Sequence, residues 1–188
     1  MNDAKKHIIS ALVENKPGVL NRLVSLFRRR NFNIDSLTVG RTHKAHVSRV
    51  TIVVDSQRIN ARQMVANLYK LPNVIDAKAI SEDLHVERDL ALVKVRTDDA
   101  DSYNAVAELC ERYPTRIIDM GPHVAIIEIT ARTLLVEEFI DALKPIGIQE
   151  LVRTGVVAMG RGIRTQDTDY EPMTASLTGE SELERSSV

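Results

Sequence analysis

The sequence predicts an α+β protein: two tandem ferredoxin-like βαββαβ domains followed by a disordered acidic tail. Three observations carry that prediction. Strand and helix signals run in the order β-α-β-β-α-β over residues 6–81, and the same order recurs over 82–164. The two halves share pattern but little residue identity. Residues 165–188 lack periodicity, and from Gln166 onward they carry six acidic side chains against one basic, a composition that cannot build a core.

The first strand is read from the apolar run "HIISALV" at 7–13. A helix is expected over 17–30, where Leu20, Leu23, Val24 and Phe27 recur at i, i+3, i+4 and i+7. Pro17 suits its first turn, Arg28–Arg29–Arg30 suit its last, and Asn31 can end it. Strands follow at 34–41 and 47–54, joined by the polar tip "THKAH". A second helix is expected over 61–71, with Asn60 and Gln63 at capping-box spacing and Pro72 as a stop, before a strand at 74–80. The segment "SEDLHVERD" reads as a charged connector.

In the second half, 90–95 is a strand and 100–113 a helix with Tyr103, Val106, Ala107 and Cys110 on one face. Strands at 116–120 and 124–130 meet at the turn Gly121–Pro122. A helix at 133–144 turns Leu135, Phe139, Ala142 and Leu143 inward, and 148–157 supplies the last strand.

Composition narrows function. With 25 Lys and Arg against 26 Asp and Glu, the net charge of −1 argues against a general nucleic-acid or membrane-surface binder. The lone Cys110 excludes an intrachain disulfide and a Cys-based zinc site. The start "MNDAKKH" lacks a secretory h-region, and the apolar runs are far shorter than a membrane span requires, so a cytoplasmic location is expected. No GxSxG, Walker A or strand-linked GxGxxG motif is present, and "GRG" at 160–162 is too short to mean phosphate binding. His43 and His46 have metal-compatible spacing, but a metal site needs further ligands converging in space and His7, His85 and His123 are scattered, so solvated histidines at a hairpin tip account for the pair. No catalytic or metal-ligating residue is assigned.

The stretch "NKPGVLNRL" at 15–23 is different. A helix's first turn carries unpaired N–H groups and partial positive charge, which attract a carboxylate or phosphate. Gly18 leaves those amides without a neighbouring Cβ, and Asn15 brings an amide that both donates and accepts. Asn33 is a second such group at the start of the next strand, and Val19 and Leu20 offer an apolar wall. A capped strand-to-helix turn accounts for the stretch equally well: Asn15 caps, Pro17 starts the helix, and Gly18 packs on the sheet.

The segment "ALVENKPGVLNRLVSLFRRRNFNIDSLTVGRT" resembles the N-terminal ACT domain of the small, regulatory subunits of acetolactate synthase. "VSRVTIVV", "LYKLPNVIDA", "HVERDLALVKV" and "RTGVVAMGRG" continue that resemblance in order, over residues 6–164. The most specific stretch is 85–90, where Asp89 stands in place of the usual Glu. Gly160 also departs from the pattern, which commonly has Ser, and the acidic tail lies beyond it.

The resemblance implies an ACT effector-binding domain over 6–81 and a second, ACT-like domain over 82–164. It implies a chain without catalysis or cofactor of its own. Its partner would be a large catalytic subunit that uses thiamine diphosphate, magnesium and FAD. The chain would raise that subunit's activity and confer feedback inhibition by valine, or by leucine or isoleucine, in branched-chain amino acid biosynthesis. The effector would bind where the ACT domains of a homodimer pair, at Asn15, Gly18, Val19, Leu20, Asn33 and Ile34.

Two other functional classes compete with this reading. One is a free-standing ACT-domain amino-acid sensor acting on a different partner; a transcription-linked one, for instance, needs a DNA-binding module, and no basic stripe or helix-turn-helix is left over. A small enzyme on the same scaffold needs a convergent acid, base or nucleophile, and none is apparent.

Overall fold

The computed structural model describes residues 6–55, 60–162 and 166. The expected tail at 165–188 lies outside the described residues, apart from Gln166.

The N-terminal unit places β1 (Lys6–Glu14), α1 (Val19–Arg29), β2 (Asn33–Arg41), β3 (Val47–Asp55), α2 (Ala61–Leu68) and β4 (Val74–Ala79) in the expected order. Its four strands lie in the order β2-β3-β1-β4, with antiparallel neighbours throughout. Strand side chains alternate between faces. Ile9, Ala11 and Val13 join Val50, Ile52 and Val54 under Leu23, Phe27, Met64 and Leu68 of the two helices. Ile8 and Val53 point the other way. β1 is buried along nearly its whole length, so its unbroken apolar run reflects cover on both faces.

That second cover comes from the C-terminal unit. It consists of β5 (His85–Arg96), α3 (Ala100–Arg112), β6 (Thr115–Met120), β7 (Val124–Ala131), α4 (Thr133–Leu143), β8 (Ile148–Arg153) and β9 (Val157–Gly160). β6-β7-β5-β8 form the second sheet, and β9 pairs with β5. The core here gathers Val93, Val95, Ile127 and Ile129 under Val136, Phe139 and Leu143. Cys110 packs at its margin, as a small apolar side chain does.

Several sequence expectations need correction. The charged connector is strand: His85–Arg88 opens β5 and pairs with Val157–Gly160. The single strand expected at 148–157 is two, broken at Gly155, whose φ of +78° leaves the extended region. Helix α1 starts at Val19, not Pro17, because Gly18 takes the N-cap position with φ +81°. Helix α2 ends at Leu68, and a turn carries the chain on to Leu71. Asn60 does cap it, its side chain accepting from the Gln63 amide at 2.9 Å. The buried stripe of α1 is Val19, Leu23, Leu26 and Phe27, leaving Leu20 exposed. Tyr103 likewise points outward, and Val106 is the buried residue of α3.

α3 begins with a full capping box that the sequence reading passed over: Ser102 N–H donates to Asp99 Oδ1 at 2.7 Å, and Asp99 N–H to Ser102 Oγ at 3.2 Å. The backbone hydrogen bond from Ser102, then its side chain, hold the Asp99 carboxyl below its ordinary 3.8. A depressed folded-state value means the cap contributes above the unfolded value and is lost as pH falls through the folded one. A carboxyl 13C titration is expected to place the Asp99 midpoint below that of free aspartate, with the first α3 amides fraying only at the more acidic pH.

The two units meet where β9 crosses the helix-free face of the first sheet. Val156 and Ala158 pack on Ile8, Val53 and Ile80. The Thr38 hydroxyl donates to the Thr154 carbonyl at 3.1 Å. Gly155 fits there for two reasons: its φ is positive, and an added Cβ would lie 3.0 Å from the Ser36 Cβ. Gly155→Ala is expected to cost about 2 kcal/mol from left-handed strain, with the close contact adding to it. A denaturant midpoint measured on both chains checks this.

Candidate functional site

The strand-to-helix turn at 15–18 is anchored from below and left open above. Asn15 N–H donates to the His46 carbonyl at 2.8 Å, and Asn15 Nδ2 to the Ala45 carbonyl at 3.1 Å, tying the turn to the β2–β3 hairpin tip. Behind it Glu14 accepts from Lys16 Nζ at 3.0 Å and from Asn73 Nδ2 at 2.6 Å. Arg22 Nη1 donates to Asn73 Oδ1 at 2.9 Å. The sequence reading missed Glu14, Asn73 and Arg22, since Asn73 lies 51 positions from Arg22 and nothing local links them.

Gly18 has a more specific role than either sequence reading gave it. It supplies the left-handed N-cap, and a Cβ built there meets nothing within 4 Å. No side chain caps α1. Val19 N–H reaches the Lys16 carbonyl at 3.4 Å, whereas among the described residues the N–H groups of Leu20 and Asn21 have no acceptor. The turn is therefore a pair of open amide donors at the positive end of a helix of 11 residues. The Val19 side chain is in the core and that of Leu20 is 42% exposed beside the amides.

Asn33 and Ile34 are not beside them. The register pairs Asn33 with Asp55 and Asp55 with Lys6, at the start of β1, whereas Glu14, next to Asn15, pairs with Val47. The two groups sit at opposite ends of one sheet, separated by eight residue steps of β1, about 27 Å at the rise of an antiparallel strand. Asn33 is exposed, Ile34 half-buried against the core, and both open the edge strand β2. Next to them Lys6 Nζ pairs with Asp35 at 3.1 Å, and the Asp35 hydrogen bond raises the lysine above its ordinary value.

A second concavity was not legible in the sequence. A cleft of about 1010 Å³ lies between the units, walled by Arg41 and Arg49 of the first and by Arg88, Met159 and Arg161 of the second. His43 lines it as well, and among the described residues no cluster of His, Cys, Asp or Glu could hold a metal ion.

Comparison with known proteins places both halves. Residues 9–76 match the family model described as AHAS small subunit-like ACT domain, and residues 88–162 the model described as small subunit of acetolactate synthase. A probable acetolactate synthase small subunit of Archaeoglobus fulgidus is 45% identical over 157 residues, 84% of this chain and 98% of that protein. The acetolactate synthase small subunit of Mycolicibacterium smegmatis is 41% identical over 163 residues, 87% of this chain and 95% of that protein. The crystal structure of the small subunit from Thermotoga maritima superposes with a TM-score of 0.76 at 39% identity, over 85% of this chain and 99% of that one.

Proposed function

The chain belongs to the acetolactate synthase small-subunit family, and on that premise we propose that it is the feedback regulator of a separate catalytic subunit, with valine as effector. Thiamine diphosphate, magnesium and FAD belong to that catalytic subunit in this reading, and this chain performs no chemistry itself. Leucine or isoleucine are the other candidate effectors.

The observation that carries the proposal is the separation of the two groups along β2. Asn15–Leu20 face one end of the edge strand and Asn33–Ile34 open the other. A two-fold axis through the middle of β2 pairs it antiparallel with β2 of a second copy. Each Asn33 then comes to the end of the sheet where the other copy's Gly18 turn lies. Such pairing also covers an otherwise open strand edge. Each joint holds open amides for a carboxylate, an asparagine for an ammonium group, and Leu20 for an aliphatic side chain. A ligand held by both copies favours one relative arrangement, and only such a difference can regulate. A coupling of about 1–3 kcal/mol, roughly 5- to 150-fold, is typical.

The experiment is acetolactate formation by the large subunit of the same cell, alone, with this chain, and with this chain plus valine, leucine or isoleucine. Stimulation reversed by one of the amino acids is expected. An unchanged rate, with no complex on sizing, would remove the proposal.

A further inference from the structure

The inter-domain cleft is a concentration of positive charge, and among the described residues its lining holds no carboxylate. Arg41, Arg49, Arg88 and Arg161 line it. Among the described residues the arginine–carboxylate pairs belong to Arg62, Arg96, Arg116 and Arg153. The cleft arginines instead meet neutral oxygens: Arg88 donates to the Glu87 carbonyl at 2.7 Å and Arg161 to the His85 carbonyl at 3.3 Å. Val157 and Met159, 47% and 63% exposed, add an apolar strip along one wall. Guanidinium groups gathered in one concavity repel one another, and an anion relieves that repulsion through charge-assisted hydrogen bonds.

The chain's own acidic segment begins one residue after Gln166, which is bonded to a cleft arginine. Gln166 lies on the helix-free face of the first sheet, where its Nε2 donates to the Ser10 carbonyl at 3.0 Å. Arg49, a cleft residue, donates Nη1 to Gln166 Oε1 at 3.2 Å and Nη2 to the Gln166 carbonyl at 3.4 Å. The next residues are "DTDYEPM", in which Asp167, Asp169 and Glu171 alternate with neutral positions and Tyr170 and Met173 are apolar. In extended form those seven residues reach about 24 Å. The remaining 15 residues to Val188 add three acids and one arginine.

We infer that residues 167–173 of this chain's own tail occupy the cleft, carboxylates toward the arginines and apolar side chains toward Val157 and Met159. Because the two walls come from different units, a seated tail straps one unit to the other. The inference is independent of the effector and of the catalytic partner, and its test requires neither.

The test uses the full chain. A nitroxide at Met173→Cys, in a Cys110→Ser background, is expected to broaden the amides of 157–162 and of Arg41 at about 0.1 M salt. The broadening should vanish near 1 M salt, where the screening length falls to about 3 Å. It should also vanish when Asp167→Asn, Asp169→Asn and Glu171→Gln are combined. Hydrogen exchange without label or cysteine change gives a second reading: the triple variant should exchange several-fold faster than wild type at 157–160. Unbroadened cleft amides at low salt, or exchange unchanged by the triple variant, would overturn the inference. So would broadening that arises only between a labelled chain and a separate 15N-labelled one, since the tail would then belong to a second copy.

Discussion

A chain carrying Gly18→Asp is expected to activate its catalytic partner and to ignore valine. An added Cβ at Gly18 meets no atom within 4 Å, which leaves the new carboxylate room beside the open amides of Leu20 and Asn21, where the proposal seats the carboxylate of the effector. At least a tenfold rise in the inhibitory valine concentration is expected, about 1.4 kcal/mol. The φ of +81° would strain most side chains, so the control matters. Asparagine tolerates the left-handed region about as well as aspartate, and it adds no charge. Gly18→Asn should therefore keep most of the inhibition. Equal loss in both variants would assign the effect to shape and count against the carboxylate seat, and unaltered inhibition in Gly18→Asp would dismiss the site.

The second large effect concerns stability. Asp89 is 1% exposed at the junction of the two parts of β5, and Arg153 donates to its Oδ2 from Nε at 3.1 Å and from Nη2. Its Oδ1 has no partner among the described residues. Truncating the two partners is not equivalent. Arg153→Met strands a buried carboxylate, and about 3–5 kcal/mol should be lost. Asp89→Ala strands a guanidinium that is already 30% exposed and has Glu137 at 4.0 Å. That loss should be smaller, about 1–3 kcal/mol, as for a hydrogen bond to a charged group. The double change Asp89→Leu with Arg153→Met should recover part of the Arg153→Met loss, since an apolar pair of similar volume replaces a buried ion pair at little cost. Urea denaturation of the wild type and the three variants measures these losses. Equal losses for the two single variants would mean that burial does not set the asymmetry.

Much of the fold was legible because its signals are local. Apolar period, Pro72, Asn60 and the turn at Gly121–Pro122 place most elements to within two or three residues. The misreadings have physical causes. His85–Arg88 looks like a connector because three of its four residues carry ionisable groups, yet the backbone pairs with β9 whatever the side chains carry: His85 and Glu87 share one half-buried face, 3.6 Å apart, and Arg88 is exposed on the other. Residues 148–157 look like one strand because side-chain pattern does not report the sign of φ at Gly155. The turn at 15–18 was legible as an anion-ready helix start, but the distance from it to Asn33 follows only from strand register. The arginine cleft was not legible at all. Arg41, Arg49, Arg88 and Arg161 span 120 positions of chain, and each alone reads as a solvated surface charge.

β5 has a consequence for how the molecule comes apart. One unbroken strand of 12 residues belongs to both layers of the interface: its first four residues pair with β9 over the first sheet, and the rest run through the centre of the second. Topology counts two modules, yet no peptide bond can be cut between them without loss. Cleavage before His85 strips β9 and its cover from Ile8 and Val53, and cleavage after Arg88 severs the strand that holds β9 in place.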